Sequence, residues 1–112
     1  MTPQAFEAAA LALPAATISV QWGGSRVFKV GGKMFAVAGL ARGWSFKVSD
    51  LAYEVLTETG RARPAPYLAR AKWVHLGDLA PLDDVEVADW LATAHRLVAA
   101  KLTRAARKDL GL

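Results

Sequence analysis

The chain has 112 residues and a mass of 12.0 kDa, the usual size of one domain. Hydrophobic residues make up 54% and charged residues 21%, which excludes an intrinsically disordered chain. The absence of cysteine excludes disulfides, thiolate metal sites and a cysteine nucleophile, and it fits a reducing compartment. No segment reaches the roughly 20 apolar residues that span a bilayer. The short apolar run 8–16 lacks the basic leader of a signal peptide. We therefore expect one cytoplasmic domain, residues 1–112, with no membrane association.

The positive charge is concentrated in the middle of the chain. The net charge is +4 at pH 7. Residues 26–72 contain nine Lys or Arg against three Asp or Glu, so this segment alone carries +6. A basic balance of this kind favours polyanionic partners, although it says nothing about the fold.

The first elements are a helix and a strand. Thr2 and Pro3 are typical of a helix N-cap followed by proline in the first helical position. An apolar stripe at helical spacing follows, and Pro14 is expected to end it. Residues 17–22 are rich in β-branched and aromatic types, which predicts the first strand.

The clearest local pattern is a β-hairpin. Residues 26–30 and 33–38 are strand-like and are separated by Gly31-Gly32, a pair that suits a tight turn. The sequence leaves the register of the hairpin open. Residues 44–48 alternate between apolar and polar side chains, which predicts a fourth strand with one buried face.

A short helix and a last strand follow. Ser49 or Asp50 can cap the helix, and Gly60 can end it. The apolar stripe of this helix is expected to consist of Leu51, Val55 and Leu56. Residues 61–66 contain two prolines and predict a loop. Residues 67–71 allow one helical turn, and residues 72–76 predict the last strand.

The C-terminal third predicts one long helix. Acidic residues at 83–89 precede a helical apolar stripe, and basic residues at 101–108 follow it, as the helix dipole prefers. The order of elements predicts a two-layer α+β fold. We expect an antiparallel sheet of about five strands, with the N-terminal, middle and long C-terminal helices packed on one face.

With these elements placed, the chain resembles the MmcQ/YjbR family of small bacterial proteins. The resemblance rests on Trp22-Gly23, residues 28–36, Phe46-Lys47, Pro66-Tyr67-Leu68, Lys72-Trp73-Val74 and residues 94–98. It implies a two-layer α+β fold comparable with CyaY/frataxin-like and secretion-chaperone-like domains, and a DNA-binding role. One departure is the segment 38–41, which has no polar or charged side chain here, whereas the family often has more polar or charged residues there.

The candidate nucleic-acid-binding residues are bases on or beside the strands, together with two tryptophans next to glycines. They are Arg26, Lys29, Lys33, Lys47, Arg63, Lys72, Trp22 and Trp44. Lysine and arginine can contact phosphates, and exposed aromatic rings can stack on bases. For any single base, a solvated sheet face is the simpler interpretation, and core packing is the simpler one for most of the aromatic residues.

Nothing in the sequence predicts catalysis. His75 and His95 lie in no recognisable nucleophile or zinc pattern, and Gly31-Gly32-Lys33 lacks phosphate-loop spacing. Helix capping explains the acids at 83–89 more simply than a metal does.

We therefore expect a non-catalytic protein without metal or cofactor that binds DNA or another nucleic acid. The alternative is a protein–protein interaction or chaperone-like module. The oligomeric state is not determined, with a monomer favoured.

Overall fold

A computed structural model describes all 112 residues, which form six strands and four α-helices. The strands are β1 (Ala16–Gln21), β2 (Ser25–Val30), β3 (Lys33–Ala38), β4 (Trp44–Lys47), β5 (Arg63–Pro64) and β6 (Trp73–Leu76). The helices are α1 (Pro3–Leu11), α2 (Asp50–Glu58), α3 (Asp84–Ala99) and α4 (Arg104–Asp109). One antiparallel sheet contains all the strands in the order β1-β2-β3-β4-β6-β5. The α+β prediction is confirmed, with six strands instead of five. None of the helices has the length and apolar character needed to span a bilayer.

The predicted helix caps form as the sequence indicates. Thr2 accepts a hydrogen bond from the backbone N–H of Ala5 at the start of α1. Ser49, rather than Asp50, caps α2 and accepts from Ala52. These side chains satisfy N–H groups that the first turn of a helix leaves without partners. The first helix already ends at Leu11, before the predicted stop.

The β2–β3 hairpin turns at Gly31 and Gly32, whose φ angles are 57° and 79°. Both central residues of a type I′ turn need positive φ, and glycine adopts it without steric cost. The register that the sequence left open contains a bulge, because Phe28 pairs with Ala36 whereas Lys29 pairs with Met34. The extra residue, Phe35, packs edge-on against His95 of α3, with ring centroids 5.4 Å apart.

The segment predicted as a loop, residues 61–66, contains the one strand that the sequence did not predict, β5. Arg63 and Pro64 pair with His75 and Val74 of β6. Proline is tolerated here because an edge strand needs hydrogen bonds on only one side. The loop prediction was wrong at these two positions.

The predicted long C-terminal helix is broken near Leu102. The helix α3 ends at Ala99, and Thr103 caps the separate helix α4. Leu102, between them, is 8% exposed and lies against the hairpin turn, where a Cβ on Gly31 would meet its Cδ1 at 2.6 Å. The sequence placed Leu102 in the apolar stripe of one continuous helix, whereas the structure buries it in the turn between two helices.

The main core lies between the sheet and helices α1 and α3. Its largest members are the fully buried phenylalanines Phe6, Phe28, Phe35 and Phe46. Phe46 also stacks on Trp90 of α3, with centroids 5.7 Å apart. The stripe predicted for α2 was wrong at Leu51 and Val55, which are 71% and 49% exposed. Helix α2 packs mainly against β5 and β6 at the sheet edge, and of the three predicted stripe residues only Leu56 is buried in the core.

Candidate functional site

The second face of the sheet, opposite α1 and α3, has only a small core of its own. Four buried residues form it: Val27, Val37, Ala65 and Trp73. Met34, Leu40 and Leu68 pack against these residues while staying partly accessible. The loop of residues 65–72 supplies part of this covering, so the face is only partly shielded from solvent.

Three lysines converge where the β2–β3 turn, the end of β4 and the end of α3 meet. Lys33, Lys47 and Lys101 line one cavity of about 220 Å³, whose other lining residues are Met34, Ala71, Trp73 and Val98. Lys47 donates a hydrogen bond to the carbonyl oxygen of Ala71. Lys72 lies close enough to act electrostatically on Lys47, and its ammonium group lies 4.8 Å from the ring centre of Tyr53. We call Lys33, Lys47, Lys72 and Lys101 the lysine cluster.

The charges of the lysine cluster repel one another. The pKa of Lys47 is lowered from its usual range, first by burial and then by the positive charge of Lys101, with a smaller contribution from Lys72. Asp50 opposes this shift, but it does not cancel it. A bound anion would reduce the repulsion and would offset the cost of desolvating the charged Lys47.

An apolar groove on the same sheet face adjoins the lysine cluster. The residues that line it are Trp22, Met34, Leu40, Tyr67 and Leu68, and its volume is about 420 Å³. Trp22 is 57% exposed and Tyr67 is 94% exposed. We call these five residues the aromatic groove. Met34 lines both the groove and the lysine cavity, so the two sites are adjacent.

The eight predicted site residues do not form one site in the structure. Lys33, Lys47 and Lys72 meet in the lysine cluster, and Trp22 lines the adjoining groove. Lys29 pairs across the hairpin with Met34 but lines neither cavity.

Arg26 and Trp44 lie elsewhere and line a different cavity, of about 260 Å³, beside α1. Arg26 forms an ion pair with Glu7 of that helix. Trp44 packs against the main core and is partly buried. Neither residue joins the lysine cluster, because their side chains project from the sheet face that carries α1 and α3.

Arg63 lies at the β5 edge, in a cavity of about 270 Å³ that it shares with Arg61, His75 and Asp78. Burial, and to a smaller extent the charge of Arg63, lowers the pKa of His75. Nδ1 of His75 lies 2.9 Å from Oγ of Ser45, and both side chains are buried. This histidine is therefore held as a structural hydrogen-bonding group.

His95 and the acidic segment also have structural partners. Nε2 of His95 donates a hydrogen bond to the carbonyl oxygen of Pro14 at 2.7 Å. Asp83 caps α3 and accepts from the backbone N–H of Glu86. No group of three or more His, Cys, Asp or Glu side chains is arranged to hold a metal ion.

Sequence reasoning missed Lys101 as a site residue. Its position after the apolar stripe of the last helix suggested only a favourable interaction with the helix dipole. Its approach to Lys33 and Lys47 depends on the turn at Leu102, which packs against Gly31 and fixes the end of α3 beside the hairpin. Burial of Leu102 therefore helps to assemble the basic site.

These features define a two-layer α+β domain whose second sheet face presents a lysine cluster beside an aromatic groove. The YjbR family model matches residues 11–97, so the chain belongs to the YjbR family. The crystal structure of the Deinococcus radiodurans protein DR2400, of domain family DUF419, has the same fold with a TM-score of 0.80. The two sequences are 25% identical over 95% of this chain and 85% of that chain. No curated protein matches the chain. The resemblance found in the sequence is thereby confirmed for the family and for the α+β class of the fold.

Proposed function

We propose that this protein binds nucleic acid without catalysing a reaction, and that the lysine cluster contacts the phosphates. The observation that carries the proposal is the convergence of Lys33, Lys47 and Lys101 on one cavity from three separate parts of the chain. Lysine ammonium groups bind phosphate as compact point charges with several rotatable donors. A polyanion is the partner that such a group of unpaired cations fits best.

The absence of acidic partners at these lysines supports the proposal. Arg26 and Arg61 are paired with Glu7 and Glu86, whereas no lysine of the cluster forms an ion pair. The only carboxylate among the groups that shift the pKa of Lys47 is that of Asp50. The cluster therefore keeps most of its positive charge available for a ligand.

The expected salt dependence can be calculated from the number of lysines. If each of the four lysines neutralises one phosphate, the logarithm of the duplex binding constant falls with the logarithm of salt with a slope of about −3.6. Between about 50 mM and about 200 mM salt, the affinity should then fall roughly 150-fold. A fixed small-molecule site would show a much weaker dependence.

The test is fluorescence anisotropy with a labelled duplex of about 20 base pairs, titrated across that salt range. The variant Lys47→Gln with Lys101→Gln should bind more weakly and reduce the magnitude of the slope by about 1.8. A single-charge control is Arg96→Gln, which removes one exposed charge from α3 on the other side of the sheet. Absence of binding to duplex and to its separated strands at low salt, or a slope unchanged in the double variant, would refute the proposal.

A further inference from the structure

Trp22 and Tyr67 are held in the aromatic groove by unusual backbone conformations. Their φ angles are 50° and 67°, in the left-handed region that bulky residues rarely adopt. Such conformations persist only where the surrounding structure enforces them, and they are concentrated at functional sites. Both residues combine this backbone strain with an aromatic ring that is exposed to solvent.

Each ring is positioned by the turn in which its residue lies. Trp22 precedes Gly23 and Gly24, which also have positive φ, in the turn between β1 and β2. Tyr67 follows Pro66 and precedes Leu68, whose backbone N–H bonds back to Ala65. The two rings come from turns 45 positions apart in the chain and meet at one groove.

The composition of the groove limits what it can hold. All five lining residues are apolar or aromatic, and nothing in the lining provides a charged partner for a ligand. The cavity lined by Lys33, Lys47 and Lys101 shares Met34 with the groove and so lies beside it. A complementary ligand therefore has flat apolar groups joined at short intervals to negative charges.

We propose that the aromatic groove receives unstacked nucleobases, so that the protein binds single-stranded nucleic acid in preference to duplex. This inference rests on the proposed function, because the lysine cluster holds the phosphates of the same strand. Bases in a duplex are paired and stacked on their neighbours, whereas those of a single strand are free to stack on aromatic side chains. Stacking needs no hydrogen-bond readout, so the preference is for strandedness and not for sequence. The neighbouring cations favour this occupant over an uncharged apolar peptide.

The experiment compares three labelled probes at one salt concentration: an oligothymidylate, an abasic oligonucleotide of equal length, and a duplex of that length. The wild-type protein should bind the oligothymidylate most tightly. Trp22→Ala with Tyr67→Ala should weaken oligothymidylate binding by tenfold or more, on the order expected for two lost stacking contacts. Binding of the abasic probe, which keeps the phosphates and lacks the bases, should stay unchanged.

Conservative and control variants separate stacking from folding. Trp22→Phe and Tyr67→Phe keep a ring and should retain most of the affinity. Val85→Ala removes a similarly exposed apolar side chain from α3 and should change nothing. If the alanine variant unfolds, Trp22→Gly removes the same ring while relieving the positive-φ strain. Thermal unfolding confirms that each variant tested is folded.

The outcomes distinguish the two proposals. Equal wild-type affinity for the oligothymidylate and the abasic probe would overturn the groove assignment and leave phosphate binding intact. Failure of all three probes to bind would instead refute nucleic-acid binding itself. The groove assignment is also wrong if removal of the rings abolishes binding of a labelled leucine-rich peptide and leaves oligothymidylate binding unchanged. That result would identify the groove as a peptide site.

Discussion

Gly43 is expected to be the glycine least tolerant of a side chain for reasons of space alone. It lies buried just before β4, where that strand approaches β6. Its φ of −155° is extended, so any residue could adopt its backbone conformation. A Cβ at this position would lie 2.4 Å from the carbonyl oxygen of Leu76 and 2.4 Å from Nε2 of His75. Ordinary contacts begin at 3.4 Å, so the neighbours would have to move by about 1 Å.

The cost of Gly43→Ala follows from that overlap. Overpacking a well-ordered interior costs about 1–3 kcal/mol, and here the carbonyl belongs to a paired strand that cannot simply rotate away. The unfolding entropy of a 112-residue domain converts each kcal/mol into about 4 °C of Tm. We therefore expect Tm to fall by roughly 4–13 °C, measured by circular dichroism during thermal unfolding.

Gly77→Ala is the matched control. A Cβ on Gly77 would lie 3.6 Å from a guanidinium nitrogen of Arg63, which is an ordinary contact. Its stability should change by less than about 1 kcal/mol. Equal Tm values for the two single glycine variants would refute the steric argument.

Two further predictions concern a buried histidine and the core. Because burial and Arg63 lower the folded-state pKa of His75, the unfolded chain takes up a proton below about pH 6.5 while the folded protein does not. Stability should therefore decline as pH falls from there towards the folded-state pKa, and His75→Gln should remove that part of the decline in urea midpoints measured at a series of pH values. Phe46→Ala should cost about 3–5 kcal/mol in urea unfolding, because Phe46 is fully buried against Trp90. Leu51→Ala, at a 71% exposed position, should cost less than about 0.5 kcal/mol, and equal losses would contradict the assigned core.

The sequence predicted the elements that depend on neighbouring residues. Thr2 and Ser49 form caps, and Gly31-Gly32 forms the hairpin turn, as expected. These features succeed because a cap or a turn is satisfied by backbone groups within a few residues. Family membership was likewise visible in the order and spacing of short motifs.

The errors arose where distant packing overrides local pattern. Arg63 and Pro64 become a strand only because β6 offers an unpaired edge. Leu51 and Val55 remain exposed because α2 lies at the edge of the sheet. The last helix breaks so that Leu102 can reach the hairpin.

By itself, the sequence determined a basic α+β domain with its caps, its central hairpin and three of the four clustered lysines. Only the tertiary structure decided that Lys101 joins those lysines while Arg26 pairs with Glu7 on the other face. It also brought Trp22 and Tyr67 to one groove. The physical reason is that side-chain charge and shape are local properties, whereas their convergence depends on strand order, register and the position of each turn.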